Sequence, residues 1–287
     1  MNHEPAHSVT DLAAHVERNV RLALEEDMGG GDLTAQLIPA DAAGQATVIT
    51  RQPMVLCGVA WFEGCFRALD PGCKIEWKAQ EGETAESGEV LCEIRGNARA
   101  MLSAERPALN FLQLLSATAT ETRRYVQAVN GTAAKIMDTR KTLPGLRHAQ
   151  KYAVKIGGGH NQRIGLFDGI LIKENHIMAA GGIGPALVAA NRLAPEGASV
   201  QIEVENEMQL QEALDAGAKL ILLDNFDLPA LRDAVALTAG RAELEASGGI
   251  TLQTVDRIAR TGVNRISIGS LTKDVRAADL SMRFKAG

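Results

Sequence analysis

The sequence predicts an α/β protein in two parts, a small α/β sandwich over residues 1–115 and a parallel α/β barrel, closed or nearly closed, over residues 116–275. Three observations carry this. From Lys135 onward, six short apolar runs alternate with amphipathic helical segments, a pace that requires parallel strands joined by right-handed crossovers. Each run ends in polar or small residues, as strands do when their C-terminal ends converge on one face. Before residue 115, by contrast, the β-rich runs are divided by glycine turns.

The elements follow in order. A helix is expected over about 9–26, with Leu12, Val16, Val20 and Leu24 on one stripe. A turn at Gly29-Gly30-Gly31-Asp32 comes next, then a β-rich segment with turns at Pro71-Gly72, Glu81-Gly82 and Ser87-Gly88. Residues 81–98 resemble half of a lipoyl- or biotin-carrying module. Gly96-Asn97 stands where such a hairpin would present its lysine, so no prosthetic group is expected. A helix containing residues 108–122 leads into the barrel. The barrel strands are read at 135–138, 169–173, 200–205, 219–224, 243–247 and 265–270. Helices are read at 208–218 and 252–262, with Gly217 and Gly262 marking their C-caps. The tail, about 276–287, alternates Leu280, Met282 and Phe284 like a strand that returns to the first part. A doubly wound open sheet is the alternative, but it would gather ligand residues at one switch point. Polar ends on all six runs favour the barrel.

Of the 287 residues, 46% are hydrophobic and mean hydropathy is −0.04, an ordinary globular composition. Aromatic residues make up 3%, too few to build stacking platforms for single-stranded nucleic acid. The N-terminal segment carries acids and histidines where an export signal needs an apolar core. No uncharged apolar run approaches the roughly 18 residues of a membrane helix. Cys57, Cys65, Cys73 and Cys92 match no zinc spacing and are read as buried free thiols. These readings together point to the cytoplasm, with no nucleic-acid or membrane partner.

Charge is unevenly spread. Residues 135–176 hold eight Lys/Arg against three Asp/Glu, a local balance of +5 in a chain of net −5. The cations are scattered among Thr, Gly, Asn and His at strand ends and loops, which suits a small, highly charged anion gripped from several sides.

The residues at those ends resemble the quinolinate phosphoribosyltransferase family nearly end to end. The resemblance rests on residues 23–39, 103–116, 138–177, 201–206, 222–225, 244–250 and 266–275. It implies transfer of phosphoribosyl from phosphoribosyl pyrophosphate (PRPP) to quinolinate, with decarboxylation to nicotinate mononucleotide, in de novo NAD synthesis. It implies Mg²⁺, a sandwich domain with an open barrel, and a homodimer whose sites borrow from the neighbouring subunit; a higher oligomer stays open. By resemblance Arg140, Arg163 and Lys173 hold quinolinate, whose carboxylates suit the forked guanidinium. Lys141 is implied as a catalytic residue between quinolinate and PRPP, and Thr139 as a further substrate contact. Arg106, which lies ahead of a helix in this reading, is implied to enter from the other subunit. An intrachain ion pair with Glu105 or another acid is its alternative. His160 is carried over as a site residue, with a helix-capping histidine as its alternative.

Glu203 and Asp224 are implied as catalytic carboxylates facing the ribose and, through water, Mg²⁺. Either could instead be a strand-end ion pair with a barrel lysine. Ser247, Gly248 and Gly249, with Ile268, Gly269 and Ser270, are implied to take the 5′-phosphate on backbone N–H groups and a helix N-terminus. Three rivals remain: a nicotinate phosphoribosyltransferase, the molybdate-transport-linked homologue, and a sugar-phosphate-binding sensor barrel. The number of cations at the acceptor end favours a dicarboxylate, and a sensor would not need Arg140, Arg163 and Lys173 together.

Overall fold

The computed structural model describes residues 9–285. Residues 1–8, the start of the segment read as unlike an export signal, lie outside the described residues. The described residues of Ala6–Arg123, Thr142–Gly158 and Thr272–Gly287 form one compact unit; those of Arg124–Lys141 and Gly159–Leu271 form a second.

The first unit opens with α1 (Val9–Met28). Its expected stripe is realised: Val20 and Leu24 are buried, with Leu12 and Val16 packed beside the same core. There follow β1 (Ala43–Thr50), β2 (Met54–Val55), α2 (Val59–Leu69), β3 (Lys74–Trp77), β4 (Thr84–Ala85), β5 (Val90–Asn97) and α3 (Ala98–Ala128). The last strand in chain order, β12 (Leu280–Phe284), pairs antiparallel with β1 and completes a sheet of order β12-β1-β5-β3. Strands β2 and β4 form a separate antiparallel pair. Trp61, Phe62 and Phe66 of α2 are buried in the core of this unit.

The helix α3 corrects one expectation. It runs 31 residues and passes through Pro107, so Arg106 lies inside the helix and not ahead of it. Proline costs the helix one N–H bond and some crowding. Here Met101, Ala104, Ala108, Leu109 and Leu112 are buried around it, and that apolar burial outweighs the break. Helix α4 (Arg147–Ile156) also belongs to this unit, with Ala149 and Ala153 in its core. Arg123 of α3 closes the end of α4 by donating to the Ile156 carbonyl at 3.1 Å and the Gly157 carbonyl at 2.9 Å. A Cβ on Gly157 would stand 2.5 Å from the Ala119 carbonyl oxygen, so this close approach needs glycine.

The second unit contains β6 (Lys135–Met137), β7 (Gly169–Ile172), α5 (Glu174–Ala180), α6 (Ile183–Leu193), β8 (Ser199–Val204), α7 (Glu207–Asp215), β9 (Leu220–Asp224), α8 (Leu228–Thr238), β10 (Glu243–Ser247), α9 (Val255–Ala259) and β11 (Arg265–Ser267), and α10 (Ser270–Lys273) runs out of it. Its six strands form one parallel sheet of order β6-β11-β10-β9-β8-β7. Consecutive strands from β7 to β11 are neighbours and β11 returns to β6, the order of a barrel slit between β6 and β7. The barrel is therefore open. On the free side of β6, His160 forms a parallel bridge with Met137: its N–H donates to the Ile136 carbonyl at 2.8 Å and its carbonyl accepts from Asp138 N–H at 3.0 Å.

Side-chain caps start two of the helices, Asn206 accepting from Gln209 N–H at 3.0 Å and Asp227 from Ala230 N–H at 2.9 Å. The helix expected over 252–262 shrinks to the five residues of α9. The Thr254 hydroxyl accepts from Thr251 N–H at 3.0 Å, a local bond that competes with helix formation.

Along each strand the two faces divide by parity. Ile136, Ile172, Ile202, Val204, Ile221, Leu223, Leu244, Ala246 and Ile266 join one buried apolar cluster with residues of the surrounding helices, such as Leu210 and Leu231. The alternate residues carry the polar groups.

Candidate active site

These alternate residues form layers along the parallel strands. At the entering ends, Arg265 Nε donates to Glu243 at 2.7 Å. In the middle lies Glu245, fully buried, which accepts from Ser267 Oγ, from the Gln162 amide and, at 3.1 Å, from the Gln201 amide. Burial holds its pKa above the usual carboxylate range, and the three donors pull the other way. At or just beyond the leaving ends come Thr139, Lys173, Glu203, Asp224, Ser247 and Gly269.

Lys173, directly after β7, donates to both oxygens of Glu203, at 2.7 and 3.0 Å. Glu203 is nearly enclosed, with 11% of its side chain exposed against 44% for Lys173. The strand-end ion pair foreseen as one alternative for Glu203 is thus formed, and it joins an acceptor-binding candidate to a ribose-binding candidate. The two residues lie at adjacent strand ends because β7 and β8 pair in register, Ile172 opposite Ile202.

Asp224 ends β9 opposite Ser247 of β10. Its Oδ2 accepts from the Asn225 amide at 2.8 Å. Gly248 and Gly249 follow with φ of 109° and 57°, a left-handed path that glycine takes without penalty. Beyond β11, Gly269 faces Lys141: a Cβ there would meet Lys141 Cδ at 3.2 Å and Thr139 Oγ1 at 3.8 Å. Thr139 Oγ1 in turn accepts from Lys141 N–H at 3.0 Å. The helices after the two loops are short, with five and four residues. Ile268 is buried, while Ser270 is half-buried at the start of α10.

Arg163 and Arg140 sit close enough that each other's charge matters. Burial first, and then the Arg140 charge, depress the Arg163 pKa, with Asp168 opposing. The Arg163 guanidinium donates to the carbonyl of Gly169, the first residue of β7, at 2.9 Å. It therefore lies toward the entering end of that strand, while Lys173 lies beyond the leaving end. The loop that carries it is pinned by buried Asp138, which accepts from Asn161 Nδ2 at 2.6 Å and Gln162 N–H at 2.8 Å. Asp168 takes the N–H groups of Ile164 and Gly165 at 2.7 and 2.8 Å. His160 is exposed and its backbone extends the sheet, while Gly157 is the C-cap of α4. Of these anchors, Asp138, Gln162 and Glu245 were not singled out in the sequence, while Asn225 is read there only as a polar strand end beside Asp224. The strand parity of Glu245 was the one available signal.

Within the first unit, Arg106 is exposed on α3 and has no carboxylate within ion-pairing distance among the described residues. The intrachain ion pair named as its alternative is not formed among the described residues. Glu105 beside it is half-buried, and burial raises its pKa against the pull of Arg106. Among the described residues no group of three or more His, Cys, Asp or Glu is placed to hold a metal. No described helix is long and apolar enough to cross a membrane. The four cysteines are free and buried.

Comparison with known proteins agrees with the geometry. Residues 32–116 match the family model described as quinolinate phosphoribosyl transferase, N-terminal domain, and residues 118–283 match that of its C-terminal domain. A probable nicotinate-nucleotide pyrophosphorylase (carboxylating) of Bacillus subtilis is 43% identical over 90% of this chain and 89% of its own. A mitochondrial quinolinate phosphoribosyltransferase (decarboxylating) of Nicotiana tabacum is 39% identical over 98% of this chain and 84% of its own. The solved nicotinate-nucleotide pyrophosphorylase of Francisella tularensis superposes with a TM-score of 0.92 at 43% identity, covering 95% of this chain and 97% of that one. With both family domains matched in sequence and the fold superposing over nearly the whole chain, the chain belongs to the quinolinate phosphoribosyltransferase family.

Proposed function

We propose that this protein transfers the phosphoribosyl group of PRPP to the ring nitrogen of quinolinate, with loss of carbon dioxide and pyrophosphate, to give nicotinate mononucleotide for NAD synthesis. The observation that carries the assignment to these residues is the segregation of chemistry along one rim. Lys173 paired with Glu203, Lys141 lying against Gly269, and Asp224 followed across the ladder by Gly248 and Gly249 all stand at or just beyond the leaving ends of parallel strands. Arg140 and Arg163 add cationic charge, Arg163 against the start of β7.

In this reading Arg140, Arg163 and Lys173 take the two carboxylates of quinolinate. Binding must draw Lys173 at least partly from Glu203, which frees that carboxylate to meet the ribose hydroxyls. Lys141, lying over Gly269, faces the departing pyrophosphate and offsets its charge. The loops at Ser247-Gly248-Gly249 and Ile268-Gly269-Ser270 hold the 5′-phosphate on backbone N–H groups. The ring nitrogen then attacks C1 of the ribose from the face opposite the pyrophosphate. Ribosylation makes the ring cationic, so the electrons of the departing C2 carboxylate settle on C2 beside the charged nitrogen, where a proton from solvent completes the product, and no base from the protein is needed. Orientation and a partly desolvated carboxylate are the protein's contribution.

Magnesium fits the donors present. It shares phosphate oxygens and keeps several waters, so it does not demand a protein cage. Asp224 Oδ1 bonds no described residue, leaving it free to meet a metal-bound water; Glu203 joins it once Lys173 moves. Bound there, magnesium would neutralise pyrophosphate charge. A homodimer in which Arg106 reaches the neighbouring acceptor site is supported by the exposed, unpaired Arg106 of α3. The cytoplasm is supported by the four free thiols, which suit a reducing compartment.

The test is direct: carboxyl-labelled quinolinate, PRPP and Mg²⁺, followed by release of labelled carbon dioxide. Release dependent on all three is expected. Turnover of nicotinate at the same rate, or none of quinolinate, would reject the assignment.

A further inference from the structure

We infer that Asn225 is a positioning residue that ties the Asp224 carboxylate to the Gly248 loop, so that the ribose-facing acid and the phosphate-facing backbone are set by one side chain. The inference rests on the proposed reaction for what those two groups do.

Asn225 follows the last residue of β9 and takes φ 57°, one of two non-glycine residues with positive φ among those described. The other, Ala239, is the C-cap of α8, where a left-handed residue is routine. Asn225 ends a strand instead, and asparagine is among the few L-residues that accept this backbone readily. Three contacts use the unusual turn. The Asn225 N–H donates to the Ser247 carbonyl at 2.9 Å, extending the β9–β10 ladder beyond the Asp224–Ser247 pair. Its Nδ2 donates to Asp224 Oδ2 at 2.8 Å. Its Oδ1 fills the space that Gly248 leaves open, 2.1 Å from the point where a Cβ on Gly248 would stand.

The consequence for Asp224 is orientation. One oxygen is anchored, and the other bonds no described residue and points its lone pairs elsewhere. The consequence for the loop is that Gly248 and Asn225 fit only as a pair: a side chain at Gly248 would collide with the amide. An isolated strand-end turn would need the positive φ but not the amide, and glycine would serve it as well. Aspartate at 225 would accept the same backbone yet set a second carboxylate against Asp224 with no donor between them.

Asn225→Gly and Asn225→Asp separate these roles, because both tolerate the backbone. Each would be compared with the parent for kcat, for KM toward PRPP and toward quinolinate, and for thermal unfolding. PRPP binding with Mg²⁺ would also be measured by calorimetry, which needs no turnover. Asn225→Gly should lower kcat/KM for PRPP and weaken PRPP binding by on the order of ten- to a hundredfold, the worth of one bond to a charged group. KM for quinolinate should stay within about twofold, and Asn225→Asp should fall below Asn225→Gly. Parental PRPP binding in Asn225→Gly, or equal losses toward both substrates, would overturn the inference. A parent that binds PRPP but releases no carbon dioxide from quinolinate would reject the reaction instead. The calorimetric comparison would still judge Asn225.

Discussion

At the scale of single residues, the candidate site gathers like charge on a loop held by buried and half-buried acids. Arg163 is half-buried beside Arg140, and its loop hangs on Asp138 and Asp168. Truncating Arg163 removes a charge-assisted contact worth about 1.5–3 kcal/mol. Arg163→Ala should therefore weaken quinolinate binding by roughly ten- to a hundredfold while PRPP binding changes little; calorimetry with each ligand checks this. Glu245 offers a second prediction. Its folded-state pKa is raised by burial, so the native protein holds that proton more tightly than the unfolded chain. Stability then falls as pH climbs from the ordinary value of 4.5 through the raised one. Glu245→Gln removes the titration, so its melting temperature relative to the parent should improve as pH rises from about 4.5 to about 8. A difference that stays flat across that range would show that Glu245 does not titrate there. The position of Glu245 was legible from alternation along its strand. That it meets Gln162, Gln201 and Ser267 was not, because each lies at least 22 residues away in the chain.

At the scale of elements, strand periodicity and turn chemistry were well legible and long-range closure was not. All six barrel strands fall on the apolar runs read from the sequence, because apolar residues alternating with polar ones admit one register against the helices. The bridge from His160 to Met137 left no local signal, since residue 160 belongs to a glycine-flanked loop. The passage of α3 through Pro107 was hidden for the opposite reason: the local signal says break, and burial overrules it. The contact of α3 with the end of α4 gives the prediction at this scale. Gly157→Ala would drive a methyl to 2.5 Å from the Ala119 carbonyl, an overpacking that costs about 1–3 kcal/mol. Denaturant unfolding should show a lower midpoint with an unchanged slope.

At the scale of the whole molecule, the exposed Arg106 bears on assembly. If it serves the neighbouring subunit's site, Arg106→Ala and Arg163→Ala proteins each lose most of their activity alone at low quinolinate. Mixed under conditions of demonstrated subunit exchange, they should yield heterodimers with one intact site and recover up to about half the activity per dimer. A mixture that exchanges and gains no activity would place Arg106 outside the neighbouring site. The strand β12 carries a further consequence, and it concerns synthesis. Its partner β1 pairs Ala46 with Phe284, so the first strand of the sheet to leave the ribosome waits for β12. At about 5–20 residues per second, the wait is roughly ten to fifty seconds. Throughout it, β1 offers a bare edge to any passing strand, and the nascent chain is safest if the holdase chaperones of the cell cover that edge until β12 arrives.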